Sequence, residues 1–212
     1  MTWLEVLVEG VSDVPAVREV LQRKFNFVDG VHFRIHPHRG KGKLPANPLS
    51  EPQAQHRGLL DQLPAKLRGF GKSLPKDAAV LVVVDVDDVP CHELLAQLNR
   101  LVASLPNMPR VLVRLAIEET ESWFIADVPA LEAAFPGKFK KGVLKGIQPD
   151  AIVGAWEMLA RSLGHETKNV GPGAKSEWAK KIAPHLNLEK PNSPSLRKFI
   201  DGVGRLTAEK PQ

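Results

Sequence analysis

Two acidic motifs each stand directly after an apolar run, and a third acidic group follows the same rule. The first is Leu7-Val8-Glu9-Gly10-Val11-Ser12-Asp13, and the second is Val80–Val84 running into Asp85-Val86-Asp87-Asp88. The third follows Arg110–Ala116 as Ile117-Glu118-Glu119-Thr120-Glu121. Two unit charges ~4 Å apart repel by about 4 kcal/mol at an effective dielectric of ~20, so carboxylates grouped this way call for a counter-cation. Hard oxygen donors suit Mg²⁺ or Mn²⁺, and a cation so held can activate water.

Each group also has a simpler reading. Asp13 can be a helix-capping residue beside an ordinary Glu9, and Asp85, Asp87 and Asp88 can form a solvated loop. Glu118, Glu119 and Glu121 can be the acidic first turn of a helix, where the macrodipole favours them. If the chain stays extended past Val84, Asp85 and Asp87 point the same way; Glu119 and Glu121 do so on the same condition. Gly10 is expected to allow a sharp turn that brings Glu9 and Asp13 to one edge.

The elements that must position these acids are legible as apolar patterns. Thr2–Val8 reads as a strand, and a helix starts near Ser12 with Pro15 in its first turn and Val14, Val17, Val20 and Leu21 on one face. A short strand is expected at Val31–Ile35, then a helix over Gln53–Phe70 bent near Pro64. The third strand, Val80–Val84, is the clearest, followed by helical spacing through Leu94, Leu98, Leu101 and Leu105 and a fourth strand from Arg110 to about Ala116. After Thr120 the pattern turns helical, with helices over Pro149–Leu163 and from Ser193-Pro194. Strands alternating with helices predict βαβ units and a parallel sheet, whose ligands gather beyond the strands' carboxyl ends. Residues 1–135 are expected as a core and 136–212 as a helical appendage that can pack with it as one domain.

Charge adds a rim to the edge. The net charge is +5, from 29 Lys and Arg against 24 Asp and Glu, a mild bias compatible with a polyanionic partner. Arg34, Arg39, Lys41 and Lys43 lie in a glycine-spaced loop with His36 and His38, in which backbone amides are expected to approach an anion. Lys138, Lys140, Lys141 and Lys145 form a second basic patch, with Lys141 and Lys145 as further phosphate contacts. Trp123, Trp156 and Trp178 read as core packing. One cysteine, Cys91, excludes an internal disulfide and a cysteine-rich zinc site. No apolar run reaches the ~18 residues that span a bilayer, and no charged-then-apolar leader opens the chain, so a cytoplasmic protein is expected.

The order of these motifs resembles a bacterial family of small stand-alone Toprim-like proteins of uncharacterised function. The resemblance runs through Val8-Glu9-Gly10-Val11-Ser12-Asp13, the loop around Gly40, Asp85-Val86-Asp87 followed by Cys91, Ala116–Trp123 with Asp127, and Ser193-Pro194-Ser195-Leu196 with Phe199. It implies an α/β, Toprim-like Rossmannoid core with a mostly parallel four-stranded sheet flanked by helices. It further implies Glu9 as metal ligand or acid/base group and Asp85 and Asp87 as a metal-binding pair. The overcoming-lysogenization-type nucleases are similar as well, and by that likeness Asp13 would help hold a second metal. Members of the family are often encoded beside an ATPase and suspected of phage-defence roles. This chain has no Gly-x-x-x-x-Gly-Lys-Ser/Thr, so an ATPase would be a separate partner. It also has no tyrosine, so this chain alone cannot form the covalent linkage of a Toprim topoisomerase, and any hydrolysis would have to use metal-activated water.

Three functions are compatible with the residues. The first is a Mg²⁺- or Mn²⁺-dependent nuclease using Glu9, Asp85 and Asp87, with Asp13 and Glu119 or Glu121 at a second ion and the basic loop holding phosphate. The second is a non-catalytic Toprim-like module that binds nucleic acid or an ATPase. The third is a haloacid-dehalogenase-type phosphatase with Asp85 as nucleophile, because Asp85-Val86-Asp87-Asp88-Val89 fits that pattern. The choice of DNA or RNA and the oligomeric state are left open.

Overall fold

Four strands pair in the order β2-β1-β3-β4, all parallel, with β1 at Leu4–Val8, β2 at Phe33–Pro37, β3 at Ala79–Val86 and β4 at Arg110–Ile117. This computed structural model describes residues 2–86, 90–117, 119–148, 150–171 and 173–208, so Asp87, Asp88 and Glu118 lie outside the described residues. Parallel neighbours need crossovers, and helices supply them. They are α1 (Asp13–Phe25), α2 (Leu59–Ser73) and α3 (Cys91–Ser104). Past β4 the chain is helical, with α4 (Glu121–Ile125), α5 (Val128–Ala134), α6 (Ala155–Ser162), α7 (Ala174–Ile182) and α8 (Pro194–Ala208) joined by short 3₁₀ turns.

The period-2 alternation of the central strands divides the core into two layers. Leu7, Val80, Val82, Val84 and Val86 face α2 and α3 through Leu63, Leu67, Leu94 and Leu98. Val6, Val8, Leu81 and Val83 face the other way, onto Val17, Trp123, Trp178, Ile182, Phe199 and Val203. The helices after residue 135 therefore share one apolar core with the sheet, through α6, α7 and α8. Trp123 and Trp178 are buried in this layer, and Trp123 Nε1 donates to Ser195 Oγ at 2.9 Å. Among the described residues no helix is long and apolar enough to cross a membrane.

Three boundaries differ from the sequence pattern. The second strand begins two residues later than Val31, because the amides of Val31 and His32 both close a turn on the Val28 carbonyl. Helix α2 starts at Leu59 rather than Gln53: the amides of Leu59 and Leu60 donate to the carbonyls of Gly40 and Lys41, and Asp61 accepts from the Gly58 amide. Pro64 does not break α2; it forgoes one helix bond and buries its ring with Leu60, Leu63 and Leu67. Helix α6 starts at Ala155 rather than Pro149, since Asp150 and Gly154 both adopt positive φ (60° and 77°) and turn the chain before the helix begins.

Candidate active site

Strand β3 stays extended through Val86, so Asp85 lies within the strand, paired in register with Ala116 of β4. Its amide donates to Glu9 Oε1 at 2.9 Å, which joins the ends of β1 and β3. Asp13, at the start of α1 and almost fully buried, accepts from the Gly10 amide at 2.8 Å and from Thr120 Oγ1 at 2.9 Å. The bond from Thr120 ties the β1–α1 turn to the β4–α4 turn. Gly10 itself is not required by strain: its φ is not positive, and a Cβ there would meet Ser12 Oγ at an ordinary 3.4 Å.

Glu119 and Glu121 reach the same edge through a helical start, not an extended strand. Strand β4 ends at Ile117 and Glu121 opens α4, so the helix N-terminus reading is the one the fold adopts. Both carboxylates nevertheless meet at one cation. Lys175 Nζ, from α7, is 2.9 Å from Glu119 Oε1 and 3.3 Å from Glu121 Oε1, and 5.6 Å from the centre of the Trp156 ring. The other Glu119 oxygen accepts the Trp156 amide at 3.0 Å, so Glu119 also caps the start of α6.

The electrostatics identify one crowded locality. Burial pushes the Asp85 carboxyl well above the usual carboxylate range, and Asp13, Glu9, Glu121 and Glu119 push it further the same way. Burial likewise raises Asp13, against the pull of its hydrogen bonds to Gly10 and Thr120. Glu121 is raised to about 7 by burial, which outweighs the attraction of Lys175. Burial alone would depress Lys175, but Glu121 and Glu119 overcome it and hold the ammonium well above the ordinary lysine value.

The donor set of this edge fits a hard divalent cation. It offers several carboxylate oxygens near one edge, and burial with the neighbouring carboxylates opposes the ionisation of Asp85, which a bound cation would favour. Among the described residues, no three Asp, Glu, His or Cys side chains are already grouped as ligands of one ion. The hydrogen bonds explain this: Glu9 is turned to the Asp85 amide, Asp13 to Gly10 and Thr120, and Glu119 and Glu121 to Lys175. Of the acids expected to hold a metal, Glu119 and Glu121 are the ones paired with Lys175, and Asp87 falls outside the described residues.

The basic loop does approach the edge, since the Gly40 amide donates to the Glu9 carbonyl at 2.9 Å. Three of its amides, however, are already engaged. Those of Arg39, Gly40 and Lys43 donate to Arg57 O, Glu9 O and Asp61 Oδ1. The loop's carbonyls receive the amides that open α2. Gly42 packs against Gly58, where a side chain would collide with the Asp61 carboxylate. The side chains it offers to a phosphate are Arg34, Arg39 and Lys43, which are exposed, and Lys41, which is half-buried. His36 and His38 do not form a metal pair. His36 Nε2 bonds Glu5 Oε2, whereas His38 Nδ1 bonds the Val8 carbonyl at 2.8 Å. In the other patch Lys141 is exposed and paired with Glu132 at 3.2 Å, and Lys145 is exposed.

Lys175, Thr120 and Trp156 are the site residues that sequence patterns miss. Lys175 sits two residues after Gly173 on a helix whose apolar positions, Trp178, Ala179 and Ile182, mark only its buried face. The one available signal is that a lysine beside that face is free to reach inward.

The model of a family described as a domain of unknown function, DUF4276, matches residues 8–204. The chain belongs to DUF4276. The matched span takes in Glu9 at its start and α7 and most of α8 at its end, so the acidic edge, Lys175 and most of the sheet lie within the DUF4276 region. Among solved structures, the C-terminal region of the Xanthomonas campestris pv. campestris OLD protein is similar at 11% identity and a TM-score of 0.45, over 98% of this chain and 94% of that one. A search of curated proteins finds no match.

Proposed function

We propose that the carboxyl edge of the sheet is the active centre of a Mg²⁺- or Mn²⁺-dependent phosphodiesterase acting on nucleic acid in the cytoplasm. The observation that carries this reading is the junction of two strand ends, where the Asp85 amide in β3 donates to Glu9 Oε1 at 2.9 Å beside the buried Asp13 carboxylate. Glu9, Asp85 and Asp87 would hold the cation, which when bound supplies activated water and charge stabilisation at the leaving oxygen. Asp13 acts by position, fixing the turn that carries Glu9 through its bonds to Gly10 and Thr120. Lys175, oriented by Glu119 and Glu121, would steady a non-bridging phosphate oxygen. Arg39 and Lys43 would hold flanking phosphates. A separately encoded ATPase and a role in phage defence belong to the same proposal and rest on the family resemblance.

The test is single-turnover cleavage of single-stranded DNA, duplex DNA and RNA, with and without the co-encoded ATPase. Cleavage is expected to need Mg²⁺ or Mn²⁺, to stop with EDTA and to leave no covalent protein adduct. Glu9→Gln should slow it by about 10²-fold or more. Full activity of that variant would refute the mechanism.

One observation favours a second reading, a non-catalytic module. Glu119 and Glu121 are already paired with Lys175, which is what a structural ion-pair network needs and a metal centre does not. Cation binding with no turnover on any substrate, ATPase present, would select it.

A further inference from the structure

Strand β4 is the last strand of the sheet, and among the described residues no strand pairs with its outer side. An edge of this kind presents unpaired backbone donors and acceptors, and native proteins cover or blunt it. Here the Val113 carbonyl is taken by the Arg114 guanidinium and the Ile117 carbonyl by the Glu119 amide and Ser122 Oγ, while among the described residues no strand covers the edge. It forms the floor of a groove of about 710 Å³ walled by α3 and α8, which pack on opposite faces of the sheet.

The two walls differ chemically, because β4 alternates. Val113, Leu115 and Ile117 turn to the α3 side, where Leu95 completes an apolar wall. Arg114 turns to the α8 side, donating to the Lys198 carbonyl at 2.9 Å and to the Val113 carbonyl at 2.9 Å. Gly202 of α8 leaves room for that guanidinium, which a side chain at 202 would strike. The exposed Lys198 and Arg205 extend the basic wall, with Asp201 between them facing Arg114. Asp150, at the groove's end, is spent on Ser193 and Ser195.

We propose that this groove docks an extended segment of a separate protein by β-strand addition to β4, and that the segment alternates apolar with acidic residues. Strand addition draws affinity from main-chain hydrogen bonds and specificity from the alternate side chains. Apolar residues of the incoming strand meet Leu95, Leu115 and Ile117, and acidic ones meet Lys198 and Arg205. A second copy of this chain fits poorly, because its own β4 brings Arg110 and Arg114 to the wall that already carries Arg114, Lys198 and Arg205. A nucleic-acid strand is disfavoured by the apolar wall and by the lack of a Phe, Tyr or Trp ring among the lining residues for base stacking. The proposal does not depend on the catalytic reading of the acidic edge.

The probe is a fluorescein-labelled ten-residue peptide alternating valine and glutamate, titrated into the full chain by polarisation and by amide NMR shifts. Saturable binding is expected, with shifts centred on Val113, Leu115 and Ile117. Lys198→Glu with Arg205→Glu, both exposed, should weaken it at least tenfold, and N-methylation of alternate peptide amides should abolish it with the protein unchanged. The valine–lysine peptide should not bind. Absence of saturable binding, or shifts away from β4, would overturn the proposal. So would shifts at β4 evoked equally by a ten-nucleotide oligothymidylate, or produced by the chain's own dimerisation in sedimentation.

Discussion

The two sides of the acidic edge are built from the same residue type and reach opposite electrostatic states. On the β1/β3 side, the Asp85 amide donates to Glu9, and the strongest influences on Asp85 are burial and four neighbouring carboxylates. On the β4/α4 side, Glu119 and Glu121 share the ammonium of Lys175. The difference comes from distance along the chain. The β1–α1 turn carries Asp13 close in sequence to Glu9, whereas the β4–α4 turn lies under α7, which brings a lysine across more than fifty residues of sequence. Burial and carboxylate repulsion therefore dominate one side, and an ion pair supplied by a distant helix dominates the other.

The sharpest way to break the contrast is to remove the lysine. Lys175→Met leaves Glu119 and Glu121 buried without their cation, and losing one partner of such a pair costs roughly 3–5 kcal/mol. The metal-free variant should unfold at distinctly lower denaturant concentration, and saturating Mg²⁺ or Mn²⁺ should restore more stability to it than to the parent chain. A loss below ~1 kcal/mol in urea unfolding would mean that the two sides do not differ as described.

Next in size is a pH effect. Asp13, Asp85 and Glu121 have folded-state values raised above their unfolded ones, so the native state holds protons that the unfolded chain has released. Stability then falls as pH rises through the interval between the two values. For Glu121, from 4.5 to about 7, that is about 3 kcal/mol, complete above pH 7. Lys175 is raised from 10.5, so its contribution is constant across this interval and is lost only in strong alkali. The metal-free Tm should therefore drop between pH 5 and pH 8, by roughly 6–12 °C for a chain of this size. Saturating Mg²⁺ should flatten the slope. A Tm that rises over that range, metal absent, would contradict the buried acids' assignment.

How much of this was legible in the sequence depends on how far apart the cooperating residues are. The α/β class and its parallel sheet follow from local periodicity, since the apolar runs at Leu4–Val8 and Ala79–Val86 admit few other arrangements. The gathering of Glu9, Asp13 and Asp85 follows from topology, because parallel strands end at one edge. Three things did not follow. Glu119 and Glu121 reach the edge on a helical turn, which strand alternation does not describe. In the basic loop Gly42 packs closely against Gly58 and Asp61, a role that glycine spacing alone does not reveal. Lys175 is invisible because its meaning lies in its tertiary pairing with Glu119, Glu121 and Trp156, none of them within fifteen residues of it.

A smaller effect tests the β1/β3 side alone. Asp85→Asn removes an ionisation that burial and four acids oppose, so above pH 7 the metal-free variant should be more stable than the parent by about 1 kcal/mol, or roughly 2–4 °C. The same change should abolish the Tm rise that Mg²⁺ or Mn²⁺ gives by binding the native state. Stabilisation together with loss of the metal response is a signature that a merely structural aspartate does not give. Destabilisation, or an unchanged metal response, would remove Asp85 from the centre of the proposal.

The smallest effect concerns the loop attached to that side. Arg39 and Lys43 are exposed and no ion pair to either is found among the described residues, so replacing both with alanine should alter stability by no more than ~0.5 kcal/mol. The backbone bonds that fix the loop, Gly40 to Glu9 and Lys43 to Asp61, use main-chain amides and survive the change. Any hold of these two side chains on phosphate would not survive it. Each phosphate no longer neutralised on a single strand lowers the slope of log K against log salt by about 0.7, so the double change should flatten it by roughly 1.4 and weaken binding alike for all sequences. Lys141→Ala with Lys145→Ala is the matched control in the other basic patch, where Lys141 is already engaged by Glu132. If the phosphate path follows the Glu9 side, the first pair moves the slope more than the second. An unchanged slope in the Arg39 and Lys43 variant would return this loop to a structural role, capping α2 and bracing the turn after β1.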